Sequence, residues 1–293
     1  MINYVAGIVS YNRYSKLLVA VKSLLDQSVP PKSIVIIDNA STDQRYSNLE
    51  SIFAKSKIPV IVLRQVSNLG GAGGFAQLFE ESVKIETDFL LLSDDDVVYN
   101  YDYVEQIAGH ISKSNSVYVG RAVNNNGDTL QLHYPVDFFG ETMPLKTMTF
   151  LGVLLPIEAI RKIGVPRADF FIWEDDREYV QRLEKQGGYR FIGVNNAVVF
   201  HDSEAVNHAK VKTDWRTYYG IRNFIYRIKL HENNISGWLK ILWKVSASSG
   251  ITIVAPWRYK GSVKYRFGQI YHGVIDGLNG KLGINKDYFP GKR

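Results

Sequence analysis

Phe89-Leu-Leu-Leu-Ser-Asp-Asp-Asp-Val-Val98 is the stretch whose reading decides the fold. Its apolar residues run unbroken from Phe89 to Leu92, and three carboxylates follow at Asp94, Asp95 and Asp96. A short continuous apolar run reads as a strand buried on both faces, as in a parallel sheet. Ligands of such sheets bind beyond the carboxyl ends of the strands. Three adjacent like charges repel one another unless a cation or water compensates them. Hard divalent cations such as Mg²⁺ and Mn²⁺ favour carboxylate oxygens and bridge protein to phosphate. Two readings follow: a metal–diphosphate site at a strand end, or a solvated acidic turn that stops the strand.

Upstream, Tyr4-Val-Ala-Gly-Ile-Val-Ser10 reads as a first buried strand leading into Ser10-Tyr-Asn-Arg13. Leu17, Leu18, Val21, Leu24 and Leu25 have helical spacing, and Pro30-Pro31 closes that segment. Ser33-Ile-Val-Ile-Ile37 is a second strand with Asp38-Asn-Ala-Ser-Thr-Asp43 at its carboxyl end, and Val60-Ile-Val-Leu63 is a third. Strand, helix and strand in alternation predict right-handed crossovers and a mostly parallel α/β sheet. Asn68-Leu-Gly-Gly-Ala-Gly-Gly-Phe75 then precedes a helix through Ile85. Gly71-Ala-Gly73-Gly-Phe-Ala76 fits the dinucleotide pattern G-x-G-x-x-A, but that pattern belongs at the first strand–helix turn, not after the third strand. Either these glycines let backbone N–H groups approach a phosphate or sugar at a helix start, or they form a turn with no ligand.

Downstream, residues 102–112 read as a helix and Val117-Tyr-Val-Gly-Arg-Ala122 as a strand. Residues 147–155 read as another strand, and Pro156 opens a short helix through Ile163. Asp169-Phe-Phe-Ile-Trp-Glu-Asp-Asp-Arg-Glu-Tyr-Val-Gln-Arg-Leu183 follows. Acidic residues favour helix starts through the macrodipole, yet Glu174, Asp175 and Asp176 in a row exceed what capping needs, and Trp173 offers a wall on which a sugar ring could stack. Residues 190–194 and 198–200 read as two short strands, with His201 ending the second as either a packed histidine or a metal ligand. A boundary near residue 205 divides an α/β unit, 1–205, from a helical, basic and aromatic region, 206–293.

The chain has 293 residues, 45% hydrophobic and 22% charged, as expected of a folded soluble protein. It has no Cys, which removes disulfides, thiolate nucleophiles and cysteine zinc sites and is compatible with a reducing compartment. The start shows no basic segment followed by an apolar one, so no secretory leader is expected. The most apolar helical stretch, residues 238–254, carries Lys240 and Lys244 and is short for a membrane span. The net charge of +6 is concentrated after His208, which suits nucleic acid or an anionic membrane surface.

In their joint order, Val9-Ser-Tyr-Asn-Arg13, Asp38-Asn-Ala-Ser-Thr-Asp43, the glycine segment 68–75, Asp94-Asp-Asp96, Asp175-Asp176 and His201 resemble the inverting glycosyltransferases of family 2, which have the GT-A fold. The resemblance runs from residue 1 to about 227, because Tyr218-Tyr-Gly-Ile-Arg-Asn223 is similar to a segment that follows the catalytic domain in bacterial polysaccharide members. It implies a nucleotide-sugar donor with Asp38 at the base and Ser10, Arg13, Asn68, Gly70, Gly71 and Asp95 around it. It further implies Asp94 and Asp96 holding Mn²⁺ or Mg²⁺ against the diphosphate, and Asp175 and Asp176 as the catalytic pair with Asp176 the general base and Arg182 following. Galactofuranosyltransferases come closest in pattern, with an aromatic lead-in containing Trp, then Asp-Asp-x-Glu-Tyr, then a metal-binding His; here these are Trp173, residues 175–179 and His201. Glu174, inserted between Trp173 and the pair, is a departure that can displace Trp173. Trp173, Glu174, Gly73 and Gly74 are placed against the sugar substrates.

The function implied is transfer of a sugar, preferably galactofuranose from UDP-galactofuranose, with inversion onto a lipid-linked glycan acceptor in bacterial surface polysaccharide synthesis of O-antigen or capsule type. The basic tail would hold the enzyme on the anionic inner face of the plasma membrane, placing it in the cytoplasm. A dTDP-rhamnose or other UDP-hexose transferase is the alternative, since donor choice rests on few side chains. A non-catalytic sugar-nucleotide or glycan binder would need no base, an NAD-dependent oxidoreductase is opposed by the misplaced glycines, and nucleic acid is disfavoured by the acidic clusters.

Overall fold

The computed structural model describes residues 2–111, 115–130, 139–201, 215–259 and 262–289. Its elements are β1 (Tyr4–Ser10), α1 (Tyr14–Leu25), β2 (Ser33–Asp38), α2 (Leu49–Phe53), β3 (Val60–Arg64), α3 (Gly70–Ser82), β4 (Phe89–Asp94), β5 (Val97–Tyr99), α4 (Tyr103–Ala108), β6 (Ser116–Val123), β7 (Thr142–Leu145), β8 (Val153–Pro156), α5 (Ile157–Ile163), α6 (Asp175–Lys185), β9 (Arg190–His201), α7 (Arg216–His231), α8 (Ile235–Val254) and α9 (Val263–Asn279). The chain divides into two compact units. One comprises residues 1–69, 74–166 and 179–203; the other comprises 70–73, 167–178 and 204–293.

The first unit is organised on a sheet whose hydrogen-bonded order is β3-β2-β1-β4-β8-β6-β9-β5, with β7 added on β9. β1 and β2 are buried at every position and β4 at its four central ones, which is why those segments read as unbroken apolar runs. Each such Leu, Ile or Val contributes roughly 1.5–3 kcal/mol through burial. Parallel pairing sets Ser10 opposite Asp38 and Val9 opposite Asp94. The carboxyl ends of β2, β1 and β4 therefore finish level, with Asp38, Ser10 and Asp94 along one margin.

Several sequence expectations need correction. The sheet is mixed rather than mostly parallel: β8 runs antiparallel to both β4 and β6, and β5 and β7 run antiparallel to β9. Antiparallel neighbours need no crossover helix between them, so the helices that still separate β5 from β6 and β8 from β9 do not make those strands a parallel continuation of the first four. The strand expected over 147–155 begins only at Val153, because Gly152 adopts φ +64° and turns the chain before it joins the ladder. The two strands expected at 190–194 and 198–200 are one, β9. Its apolar pattern is interrupted where the register with β6 jumps from Gly120↔Val194 to Arg121↔Val198, and Asn195, Asn196 and Ala197 bulge out of the ladder. The helix expected over 102–112 is limited to α4 among the described residues.

In the second unit α7 packs on α9 and α8 around Ile221, Ile225, Ile228, Ile241 and Ile270. Gly277 of α9 sits where a Cβ would lie 2.7 Å from the Arg222 carbonyl oxygen, so a side chain there would force the two helices apart. An aromatic cluster of Phe171, Tyr218, Tyr219 and Tyr288 lies in the same unit.

Candidate active site

The acid triplet at the end of β4 is wrapped by the loop that leaves β1. Ser10 Oγ donates to Asp95 Oδ2 at 2.7 Å, the Tyr11 N–H donates to the same oxygen at 3.3 Å, and Arg13 Nη1 reaches Asp95 Oδ1 at 3.2 Å and Asp96 Oδ2 at 2.5 Å. His201 arrives because β5 pairs with β9 and sets Val97 opposite His201; its Nε2 stands 3.4 Å from Asp96 Oδ1. Burial, reinforced by the Asp96 charge, pushes the Asp94 carboxyl up to about 7. Burial also opposes ionisation of Asp96 and of His201, but in both it is outweighed by their mutual hydrogen bond and charge, with Arg13 adding to the effect on Asp96. Asp96 ends below the usual carboxylate range and His201 above the usual imidazole value.

Among the described residues no three His, Asp or Glu side chains are arranged to hold a metal ion. The expected ligands Asp94, Asp96 and His201 are brought together, but Arg13 and His201 compensate the carboxylates. Two carboxylates and an imidazole are nevertheless the ligand types that a hard divalent cation takes, and such a cation would stand in for the proton that burial favours on Asp94.

Asp38 is buried; it accepts from the Ser41 N–H at 2.8 Å and pairs with Arg64 Nε at 3.5 Å. Asn39 continues the margin, donating to Asn68 Oδ1 at 3.2 Å and accepting from the Leu69 N–H at 3.0 Å. Sequence reasoning singled out Asp38 and Asn68 but missed Asn39, Arg64 and Tyr46. The Tyr46 hydroxyl shares a 2.6 Å hydrogen bond with Ser10 Oγ and accepts from the Arg13 N–H at 2.9 Å; it lies in a short turn with no periodic signal. Gly74 has a packing reason, since a Cβ there would meet Val9 at 2.4 Å.

The second acidic segment is built differently. Phe171, Trp173 and Glu174 have φ of +65°, +65° and +69°, a left-handed conformation costing non-glycine residues about 1–3 kcal/mol each. α7 holds this strained loop. Asn223 Nδ2 donates to the carbonyls of Phe170, Ile172 and Trp173, each at 2.9 Å. Arg222 donates to the Phe170 carbonyl at 3.0 Å and to that of Gly283 at 2.5 Å. Gly70 of α3 abuts the same loop: its φ is +73°, and a Cβ would lie 1.9 Å from the Phe171 carbonyl oxygen. Gly71 has nothing within 4 Å of its would-be Cβ, and Gly73 is buried in the first turn of α3.

The loop delivers Asp175 and Asp176 to the first turn of α6. Burial raises the Asp176 carboxyl to about 6, against the Arg177 N–H that it accepts at 2.7 Å, with the Glu174 charge adding to the rise. Glu174 was expected against substrate; both its oxygens are instead bound, by Arg177 Nη1 at 3.1 Å and by the buried Arg227 Nε at 2.7 Å. Glu178 is buried against His231 Nε2 at 3.0 Å. Arg182 donates to the carbonyls of Ile163 and Val165. Trp173 remains 47% exposed with its ring against the backbone of Gly220. Arg222 and Asn223 belong to the family-like segment 218–223 and Arg227 to the basic region after residue 205, and nothing in their spacing signals partners fifty residues upstream.

The model of glycosyl transferase family 2 matches residues 6–161, more than half of the chain. The chain belongs to that family. Among curated proteins it is similar to the galactofuranosyltransferase GlfT1 of Mycolicibacterium smegmatis, 23% identical over 201 residues, which are 62% of this chain and 65% of the relative. Among solved structures it is similar to TarS of S. aureus, with a TM-score of 0.62 and 15% identity over 93% of this chain and 49% of that one. It is also similar to GalNAc-T7 with UDP, GalNAc and Mn²⁺, with a TM-score of 0.61 and 14% identity over 78% and 48%. These likenesses establish the GT-A-like fold. The chain spans somewhat under two thirds of the length of GlfT1 and about half of each of the two solved chains.

Proposed function

We propose that this family 2 chain transfers a glycosyl group from a nucleotide sugar to a glycan hydroxyl with inversion, and that its donor is UDP-galactofuranose. The observation that carries the reading is the acid triplet Asp94, Asp95 and Asp96 at the carboxyl end of β4, inside the family match. UDP and Mn²⁺ in the GalNAc-T7 structure support a UDP-sugar donor and a divalent cation; the GlfT1 likeness supports galactofuranose.

Asp94, Asp96 and His201 would hold Mn²⁺ or Mg²⁺, which supplies charge neutralisation at the leaving diphosphate. Asp38, Asn68 and the β1 exit loop with Ser10, Arg13 and Asp95 bind the nucleotide, and the amides at Gly70, Gly71, Gly73 and Gly74 orient the donor. Asp176 takes the proton from the acceptor hydroxyl as that oxygen bonds to the anomeric carbon and the bond to the diphosphate breaks; Asp175 stands beside it. A carboxyl raised to about 6 is ionised at neutral pH and basic enough to receive a proton. One displacement with one base inverts the centre and needs no covalent intermediate. A panel of UDP- and dTDP-sugars assayed with Mn²⁺ and with chelator tests this. Metal-dependent turnover of UDP-galactofuranose is expected; turnover of another donor alone would discard the sugar assignment, and turnover unaffected by chelation would discard the cation.

The acceptor is a lipid-linked glycan, and the protein works on the inner face of the plasma membrane. No helix among the described residues is long and apolar enough to cross a bilayer. α8 buries Gly237, Ile241 and Thr252, while Ile235, Leu239, Leu242, Trp243, Ile253 and Val254 are exposed on its outer arc. Residues 206–293 contain sixteen Lys and Arg against four Asp and Glu, so the apolar arc sits in a region of net charge +12. That combination suits an anionic leaflet. Co-sedimentation with phosphatidylglycerol vesicles at low salt, reduced by Leu242→Ser with Trp243→Ser, is the expected result; no binding, or equal binding to neutral vesicles, contradicts it.

A further inference from the structure

Gly220, Asn223 and Arg227 recur at intervals of three and four and so share one face of α7. Each holds a different part of the strained segment 170–174. Gly220 is flat under Trp173: a Cβ there would lie 2.8 Å from ring atom Cε3 and 3.1 Å from Cζ3. Asn223 gathers three carbonyls of the loop, including that of Trp173 itself. Arg227 takes the Glu174 carboxylate. No residue of the loop from Phe171 to Glu174 is a glycine, so its left-handed turns at Phe171, Trp173 and Glu174 persist only where outside contacts impose them.

We infer that Gly220, Asn223 and Arg227 are positioning residues that fix the Trp173 ring as a sugar-stacking platform at a set height beside the Asp175–Asp176 pair. The inference rests on the roles proposed above for Trp173 and Asp176. Gly220 sets the platform through the ring alone, because its missing side chain is the space the indole fills. The half-exposed ring, rigidly backed by α7, then presents a flat apolar face to a sugar, the kind of surface that orients a pyranose or furanose for attack.

The test is a double-mutant cycle between Gly220→Ala and Trp173→Ala, read in kinetics and by ¹⁹F resonance with 5-fluorotryptophan. The chain has five Trp, and Trp173→Ala identifies the Trp173 signal. Gly220→Ala is expected to move that signal and no other, and to lower kcat/KM about 10- to 100-fold while UDP affinity stays unchanged. In the Trp173→Ala background it should have no further effect on kcat/KM. An unmoved Trp173 signal, or an equal kinetic loss in both backgrounds, overturns the inference. If no donor turns over, the proposed function fails and the resonance still decides whether α7 seats the ring. Should Gly220→Ala not fold, Asn223→Ser, which removes the amide donor to three loop carbonyls, is read by the resonance alone, and a Trp173 signal that it leaves in place overturns the inference.

Discussion

The acid triplet that ends β4 and the acid triplet that leads into α6 each bring three carboxyl groups together, yet the chain handles them in different ways. At β4 the residues of the triplet themselves are not left-handed, although Asn12 in the loop that wraps them is (φ +56°), and the charges are met by adaptable partners: a half-exposed Arg13, the Ser10 hydroxyl and a titratable His201. At α6 the backbone is strained at Phe171, Trp173 and Glu174, and Glu174 is locked to a buried Arg227. Exchangeable partners suit a site where a cation and a diphosphate enter and leave. A fixed loop suits a site where one carboxylate must stay aimed. The difference fits the proposed division into a binding cluster and a catalytic one, and it can be probed by removing each kind of support.

The largest effect is expected from Arg227→Met. Arg227 and Glu174 are each 8% exposed, and stripping one partner from a buried ion pair costs about 3–5 kcal/mol. Urea denaturation should show that loss, whereas Arg13→Met, at a side chain 47% exposed, should cost less than about 1 kcal/mol. Comparable losses in the two variants would erase the distinction between adaptable and locked support.

The glycines of α3 sharpen the same contrast on a smaller scale. Gly70→Ala drives a Cβ into the Phe171 carbonyl at a left-handed position and should destabilise by about 1–3 kcal/mol. Gly71→Ala, with open space around it, should stabilise by about 0.4–1 kcal/mol. Thermal unfolding of the pair checks both signs.

Much of this contrast could be read from the residues before any coordinates, and part could not. The unbroken run at Phe89 to Leu92 announces a buried strand end, and the residues on either side place Ser10, Asp38 and Asp94 on one margin, because parallel register is set by the strands themselves. The reversed strand β8 was not legible, since its apolar residues carry no sign of direction. Nor was the strained loop: left-handed turns normally advertise themselves through Gly or Asn, and here Phe171, Trp173 and Glu174 adopt them under contacts from α7. The family-like segment 218–223 marked Arg222 and Asn223 but not what they hold, and Arg227 was one cation among many because charge alone does not tell a buried guanidinium from an exposed one.

The titrations give the smallest effects. Asp94 must be ionised to bind a cation, and its carboxyl is raised to about 7, so Mn²⁺ affinity should climb as pH rises through 7 and binding below that pH should release up to about one proton from Asp94. Calorimetry in buffers of different ionisation enthalpy measures this; no proton release at pH 6 would argue against Asp94 as a ligand. Asp176, raised to about 6, has the opposite bearing on stability. Its ionised form is disfavoured on folding, so the cost is absent well below pH 4 and complete above pH 6. Asp176→Asn should therefore be more stable than wild type at pH 8 and no more stable at pH 3.

Asp176→Asn also provides the most direct test of the division between binding and catalysis, by measuring sugar transfer and UDP affinity on the same preparation. Transfer should fall by about 10²–10⁴-fold, with the wild-type rate itself declining below pH 6, while the Mn²⁺-dependent affinity for UDP is unchanged. Transfer that survives the substitution, or UDP binding that is lost with it, would contradict the assignment of Asp176 as the base.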